Sequence, residues 1–304
     1  MDKKSIHEQV TENIIAMLER GTLPWRRPWE TSGTGLAVPA NGISKRPYHG
    51  INRVILWTSA LVAGYPTHSW ATYKQIQEAG GQVRKGEKGT RVVLYRPIER
   101  DDENGATGSE EQESTEKDAR PARIARVFTV FNLAQCDGLE AAQEPQTVSA
   151  DPIPAAREFL AHVKATVRHG GNRACYMPSP DVILLPAQES FTSAAAYYAT
   201  SCHEHVHLSG ASHRLNRDSL IRYHESIEIR AAEELVAELG AAFLCAELSI
   251  QGELEHHASY LQNWLGVLKQ DKTALFRAAA DASRAAEYLH SLQPDATADA
   301  ERVA

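Results

Sequence analysis

Cysteine is scarce in this chain, with four among 304 residues. Cys136, Cys175, Cys202 and Cys245 show no paired spacing, which argues against a disulfide framework and leaves four reduced, structural thiols. Long apolar runs are missing as well. No stretch is long enough to cross a membrane, and the start, Met1-Asp2-Lys3-Lys4-Ser5-Ile6-His7, lacks the apolar core of a signal peptide. The expected location is the cytoplasm, with no membrane partner. No short motif matches a double-strand reader such as a helix-turn-helix or a zinc finger.

What is present is enough apolar material for real cores (42%) and enough length for two domains. The net charge of -7 is unevenly spread. Residues 1–100 hold 15 Lys and Arg against 8 Asp and Glu, and the remainder holds 17 against 31. A basic first third joined to an acidic remainder points to an anionic partner for the first part.

The stretch with the most chemistry is His203-Glu204-His205-Val206-His207, an H-E-x-x-H pattern preceded by Ala194-Ala-Ala-Tyr-Tyr-Ala199 and closed by Gly210. On a helix, positions i and i+4 share a face, so His203 and His207 can aim two imidazoles at one metal ion. Glu204 lies beside that face, within reach of a metal-bound water as general base. His205 points elsewhere. The run from Arg230 to Leu248 lacks proline, is rich in Ala and Leu, and predicts a second helix. On it, Glu234 and Glu238 share a face with the small residues Ala237 and Ala241, which permit close approach to the first helix. Glu234 is the expected third ligand, with Glu233 as the alternative, in a thermolysin-like His2Glu set for Zn2+ or Mn2+. Glu238 is expected to hold a ligand histidine from behind.

The first third reads as α+β. Ile6, Val10, Ile14, Met17 and Leu18 fall at helical spacing, and a second, apolar helix is expected from about residue 51 to 62. Arg91–Arg96 and Ala125–Phe131 are β-branched and aromatic runs, expected to pair as a β-hairpin. Between them, residues 101–119 carry eight acidic side chains among Gly, Ser and Thr and read as a mobile loop. Aromatic and basic residues interleave here, as a single-stranded nucleic-acid site requires: bases stack on flat side chains while cations follow the backbone. The candidates are Trp25, Arg26, Arg27, Trp29, Lys45, Arg46, Tyr48, Arg53, Trp70, Tyr73, Lys74, Arg84, Lys85 and Lys88. The same residues also fit a core role for the tryptophans and plain solvation for the charges.

Composition shifts at 137–152, where Gly138, Pro145, Pro152 and Pro154 interrupt the pattern. The expected division is a DNA-binding domain over 1–140, a linker over 141–152, a metallopeptidase domain over 153–290 and a disordered tail over 291–304. In the second domain a helix is expected over Ala155–Val167, then strands at Ala174–Met177 and Asp181–Leu185. Asp181–Pro186 fits either an edge strand that binds an extended substrate or a plain core strand.

Three sets of residues carry a resemblance. Pro24-Trp-Arg-Arg-Pro-Trp29, Arg46-Pro-Tyr-His-Gly-Ile-Asn52 and Gly80-Gly-Gln-Val-Arg-Lys-Gly-Glu-Lys-Gly-Thr90 resemble the amino-terminal domain of ArdC-type antirestriction proteins. The H-E-x-x-H block, Arg214-Leu-Asn-Arg217 and Glu233-Glu-Leu-Val-Ala-Glu-Leu239 resemble the metallopeptidase domain that follows it, with Leu208 and Ala211 as departures. The resemblance implies single-stranded DNA binding by the first domain, a zincin-like (gluzincin) second domain, and protection of incoming plasmid DNA from host restriction during conjugation. Two further readings fit the same letters. One is a DNA shield whose metal site is structural; the other is a regulatory metalloprotease without DNA binding. Any protein substrate is unspecified at this level.

Overall fold

A computed structural model describes residues 4–25, 37–97, 123–139, 152–250 and 258–294 of the chain. The acidic stretch at 101–119, the proposed linker at 141–152 (apart from Pro152) and most of the tail lie outside the described residues.

The amino-terminal half opens with α1 (Ile6–Leu18), started by a capping box in which Ser5 and Glu8 satisfy each other's backbone N–H. Then come β1 (Ala40–Asn41) and α2 (Ile51–Ala63), which Gly64 closes in the left-handed conformation that glycine adopts without strain. They are followed by β2 (Ser69–Thr72), α3 (Tyr73–Glu78), β3 (Gln82–Val83), β4 (Thr90–Pro97), β5 (Arg123–Asn132) and β6 (Cys136–Asp137). Thr72 caps α3 through Gln75. The expected hairpin exists: β4 and β5 pair antiparallel, from Thr90 opposite Val130 to Pro97 opposite Arg123. They form one edge of a four-stranded sheet of order β1-β2-β5-β4.

The second half contains α4 (Pro152–His162), β7 (Thr166–His169), β8 (Cys175–Met177), β9 (Val182–Leu185), α5 (Ala194–Ser209), α6 (Asp218–Ile221), α7 (Ile227–Glu247), α8 (Ala258–Gln270) and α9 (Ala274–Ser291). One expectation is corrected here, and one open reading is decided. The helix expected to run to Val167 stops at His162, and its last residues form β7, which pairs parallel with β9. The strand at Asp181–Leu185, open to an edge or a core role, is the central one, because β7 and β8 flank it on either side. α9 runs to Ser291, and the Gln293 amide donates to the carbonyls of Phe159 and Leu289, each at 3.1 Å.

The two halves share one core. α2 is buried on two sides. Leu56 and Ala60 meet Trp70, Val92 and Val130 of the sheet, while Val54, Ile55 and Trp57 join the cluster built by α5, α7, α8 and α9. Trp57 lies against Phe243 of α7 with ring centroids 5.8 Å apart. Thr11 of α1 donates to the Lys272 carbonyl at 2.7 Å, and the Gly50 N–H to Ser283 Oγ at 2.9 Å. Among the described residues, no helix is long and apolar enough to cross a membrane.

Candidate metal centre

α5 and α7 position the site. Ser193 caps α5 by accepting from the Ala196 N–H, and Ser226 does the same for α7 through Ile229. The helices cross closely because Gly240 has no side chain. A Cβ there would lie 2.7 Å from a methyl of Val206, inside contact distance. That approach brings three ligand-type groups together: the donor atoms of His203, His207 and Glu234 all lie within 4.8 Å of one another. The two Nε2 atoms are 3.2 Å apart, and Glu234 oxygens lie 3.5 Å from His203 Nε2 and 3.7 Å from His207 Nε2. Donors on a tetrahedral ion with bonds near 2 Å are spaced about 3.3 Å apart, so these side chains fit such an ion with little movement.

The chemistry of the set also fits a cation. Glu204, Glu233, Glu234 and Glu238 are all buried, and buried carboxylates need positive partners. Arg217 provides one, clamping Glu233 through Nε at 2.8 Å and Nη2 at 2.7 Å. Burial alone would raise the Glu233 pKa, but Arg217 and then His207 hold it down to about 2. Burial likewise opposes charge on His203. The hydrogen bond to Glu234 and the charges of Glu204, Glu234 and Glu238 nevertheless push that imidazole up to about 9. The pocket around His203 therefore selects positive charge.

The partner of the ligand histidine differs from expectation. His207 Nδ1 faces Glu233 Oε1 at 2.9 Å, a contact that turns Nε2 toward the centre. Glu233, weighed earlier as a ligand, is thus the residue that holds His207. Glu238, expected in that role, accepts from the Trp25 indole at 3.3 Å. Two residues escaped the sequence reading. Arg217 fixes Glu233, and the bare Gly210 makes room for it: a Cβ there would lie 2.6 Å from the guanidinium. The Tyr223 hydroxyl donates to Glu234 Oε1. The Arg214 and Arg217 pair was visible as a pattern but not as two clamps, Arg214 binding both oxygens of Asp181 at 2.8 Å. Tyr223 carried no local signal. His205 points away as expected, its Nδ1–H donating to the Ser201 carbonyl at 2.7 Å, and burial lowers its pKa to about 4.

The centre opens into a cleft of about 1200 Å3. His203, Glu204, His207, Glu234 and Glu238 line it, together with Tyr223, His224 and the whole of β8. β8 is the sheet edge facing the cleft, with β9 behind it.

The candidate DNA residues are scattered by the fold. Arg26, Arg27 and Trp29 lie outside the described residues. Trp25 and Trp70 are buried core, with 1% and 0% exposure, and cannot stack on a base. Arg53 is also buried, paired with Glu247 at 2.6 Å and lying over the Phe243 ring. Tyr48 is half-buried against the α2 cluster. Composition carries no information on burial, so the sequence left a core role open for the two tryptophans. Lys45, Arg46, Tyr73, Lys74, Arg84, Lys85 and Lys88 are exposed. A recess of about 560 Å3 gathers Tyr73, Arg84 and Lys85 with Phe131, although Glu87 and Asp137 pair with Arg84 there.

Comparison with known proteins places this arrangement. The amino-terminal domain of anti-restriction factor ArdC matches residues 4–131, and a zincin-like metallopeptidase family matches residues 154–281. The crystal structure of the antirestriction ArdC protein from plasmid R388, metal-free, superposes with a TM-score of 0.77 at 39% identity, covering 95% of this chain and 98% of that one. The chain belongs to the ArdC family. The Mn(II)-bound form of the R388 protein matches equally well, with a TM-score of 0.77 at 37% identity over 96% of this chain and all of that one (100%). An uncharacterized protein, y4eC, of Sinorhizobium fredii is 39% identical over 96% of this chain and 93% of its own length. DNA primase TraC of Escherichia coli is 39% identical over 94% of this chain, which spans only 27% of that protein; a second TraC is 36% identical, with 20% spanned. The ArdC domain and the zincin-like domain thus travel together inside a longer protein.

Proposed function

We propose that this antirestriction-family protein binds single-stranded DNA through its amino-terminal half and cleaves polypeptide at a metal centre in its second half, protecting incoming plasmid DNA during conjugation. The observation that carries the peptidase reading is the convergence of His203, His207 and Glu234 at an open cleft, with Glu204 on its lining and a free sheet edge alongside. His203 and His207 through Nε2, and Glu234 through a carboxylate oxygen, would hold Zn2+ or Mn2+. Such an ion supplies Lewis acidity, polarising a carbonyl and acidifying water. The chain does the rest. The edge of β8 offers backbone N–H and C=O groups to an extended peptide, which lays its scissile bond across the cleft. Glu204 takes the proton of the attacking water and returns it to the departing amine. Glu233 and Arg217 keep His207 in one tautomer.

Glu204→Gln is expected to lose peptide cleavage by at least about 100-fold, the scale of general-base catalysis, while binding Mn2+ as the parent does. Retained cleavage would remove Glu204 from this role. If no cleavage is seen with any unfolded polypeptide, and Glu204→Gln still protects DNA in a conjugation assay, the metal centre is structural.

The DNA reading rests on the basic first third and on the exposed Tyr73, Lys85 and Lys88, with the R388 ArdC protein as relative. Fluorescence polarisation of the whole chain with labelled oligonucleotides should show salt-sensitive binding that prefers single strands. Lys85→Ala with Lys88→Ala should flatten the slope of log affinity against log salt by about 0.7 per lost phosphate contact. Equal affinity for duplex, or no salt dependence, would reject this reading.

A further inference from the structure

We infer that the amino-terminal half supplies a working part of the metal centre: Trp25 is a positioning residue that holds the Glu238 carboxylate on the wall of the metal cleft, one helical turn from Glu234. The inference rests on the metal-centre reading above and extends it to a residue of the other domain.

Trp25 is 1% exposed, packed edge-on against Trp264 at 6.3 Å and surrounded by the shared core. A buried indole N–H requires an acceptor. It finds Glu238 Oε1 at 3.3 Å, across 213 residues of sequence. Glu238 is itself only 3% exposed and lies one helical turn beyond Glu234 on α7, on the wall of the metal cleft. A buried carboxylate is costly unless donors define where its charge sits. The Trp25 N–H is such a donor, and it comes from outside the second half. The carboxylate's direction on the cleft wall therefore depends on the docking of the amino-terminal segment. Linkage makes the effect reciprocal: an ion that needs Glu238 in this orientation strengthens the docking of Trp25 by the same factor.

The test uses the full chain and Mn2+ as probe. Free Mn2+ is followed by electron paramagnetic resonance for the wild type, Trp25→Phe, Glu238→Gln and the double variant, with thermal melts alongside. Trp25→Phe keeps a ring in the core but removes the N–H. It is expected to weaken Mn2+ binding about 10-fold, the lower end of what outer-shell partners contribute. In the Glu238→Gln background the same change should have no further effect on affinity, because the carboxylate it positions is gone. A loss due only to poorer packing would persist in that background. Unchanged affinity in Trp25→Phe, or equal losses in both backgrounds, overturns the inference. If Trp25→Phe does not fold, benzothienylalanine at position 25, which keeps the ring shape without the N–H, gives the same two outcomes. A wild-type chain that fails to bind Mn2+ rejects the metal-centre reading itself, and the role of Trp25 falls with it.

Discussion

His203→Ala and Glu234→Ala should each abolish tight binding of Zn2+ or Mn2+, with an affinity loss well beyond the roughly 100-fold that removal of an outer-shell partner costs. The reason is geometric. Three donor groups converge within 4.8 Å, and taking one away leaves two, too few to hold an ion against water. Isothermal titration with either metal measures this directly. A second readout follows from mass action. An ion present at about 100 times its dissociation constant stabilises the fold by roughly 2.7 kcal/mol, so metal should raise the melting temperature of the wild type and leave that of His203→Ala unmoved. Glu233→Gln should behave differently. It is not expected to supply a donor atom to the ion, but it leaves Arg217 buried with an uncompensated charge, a loss of about 3–5 kcal/mol for a broken buried pair. That variant should therefore melt early with or without metal. If Glu233→Gln instead lost the ion completely and kept its stability, Glu233 and not Glu234 would be the third ligand.

The whole chain should unfold in one cooperative step, and a fragment ending near residue 140 should not fold. The usual expectation for two domains is independent folding, but here α1 and α2 place Val10, Ile14, Leu18, Ile51, Val54 and Trp57 into the same apolar cluster as α7 and α9. Cutting the chain between the halves would expose that surface on both pieces. Trp57→Ala samples the same interface in the intact protein. Trp57 is 1% exposed, and large-to-small changes of buried aromatics cost about 3–5 kcal/mol. Calorimetry of the variant should show the single transition shifted as a whole. Two separate transitions, with only the first moved by Trp57→Ala, would show that the halves are stable units joined loosely. Single-strand binding is therefore best measured on the full chain, since a failed fragment would give a false negative.

Much of the site was readable because it is local. His203, Glu204 and His207 are set by one helical repeat, and a four-residue spacing places two imidazoles on one face without help from the rest of the molecule. The β4–β5 hairpin was legible for a similar reason, alternating β-branched and aromatic residues on both sides of one acidic insertion. The partner of His207 was not. α7 is buried along nearly its whole length, from Ala231 to Ala246, so its hydrophobic pattern has no phase that separates Glu233 from Glu238. Both are carboxylates in an apolar helix, and only the angle at which α5 crosses α7 decides that Glu233 reaches His207. Pro24-Trp25-Arg26-Arg27-Pro28-Trp29 was ambiguous for the same reason. An exposed stacking platform and a buried anchor are written with the same letters, and Trp25 is an anchor because Trp264 and Glu238, more than 200 residues away, close over it. β8 became the cleft edge only when β7, hidden at the end of a presumed helix, took the other side of β9. The sequence by itself determined that the H-E-x-x-H helix turns two imidazoles to one face, the α+β character and the basic first third, since these depend on residue type and short-range period. Tertiary structure alone decided which carboxylate serves which histidine, which aromatics stay in water, and that one half of the chain completes the core of the other. Those outcomes rest on contacts between residues far apart in sequence, for which no local pattern exists.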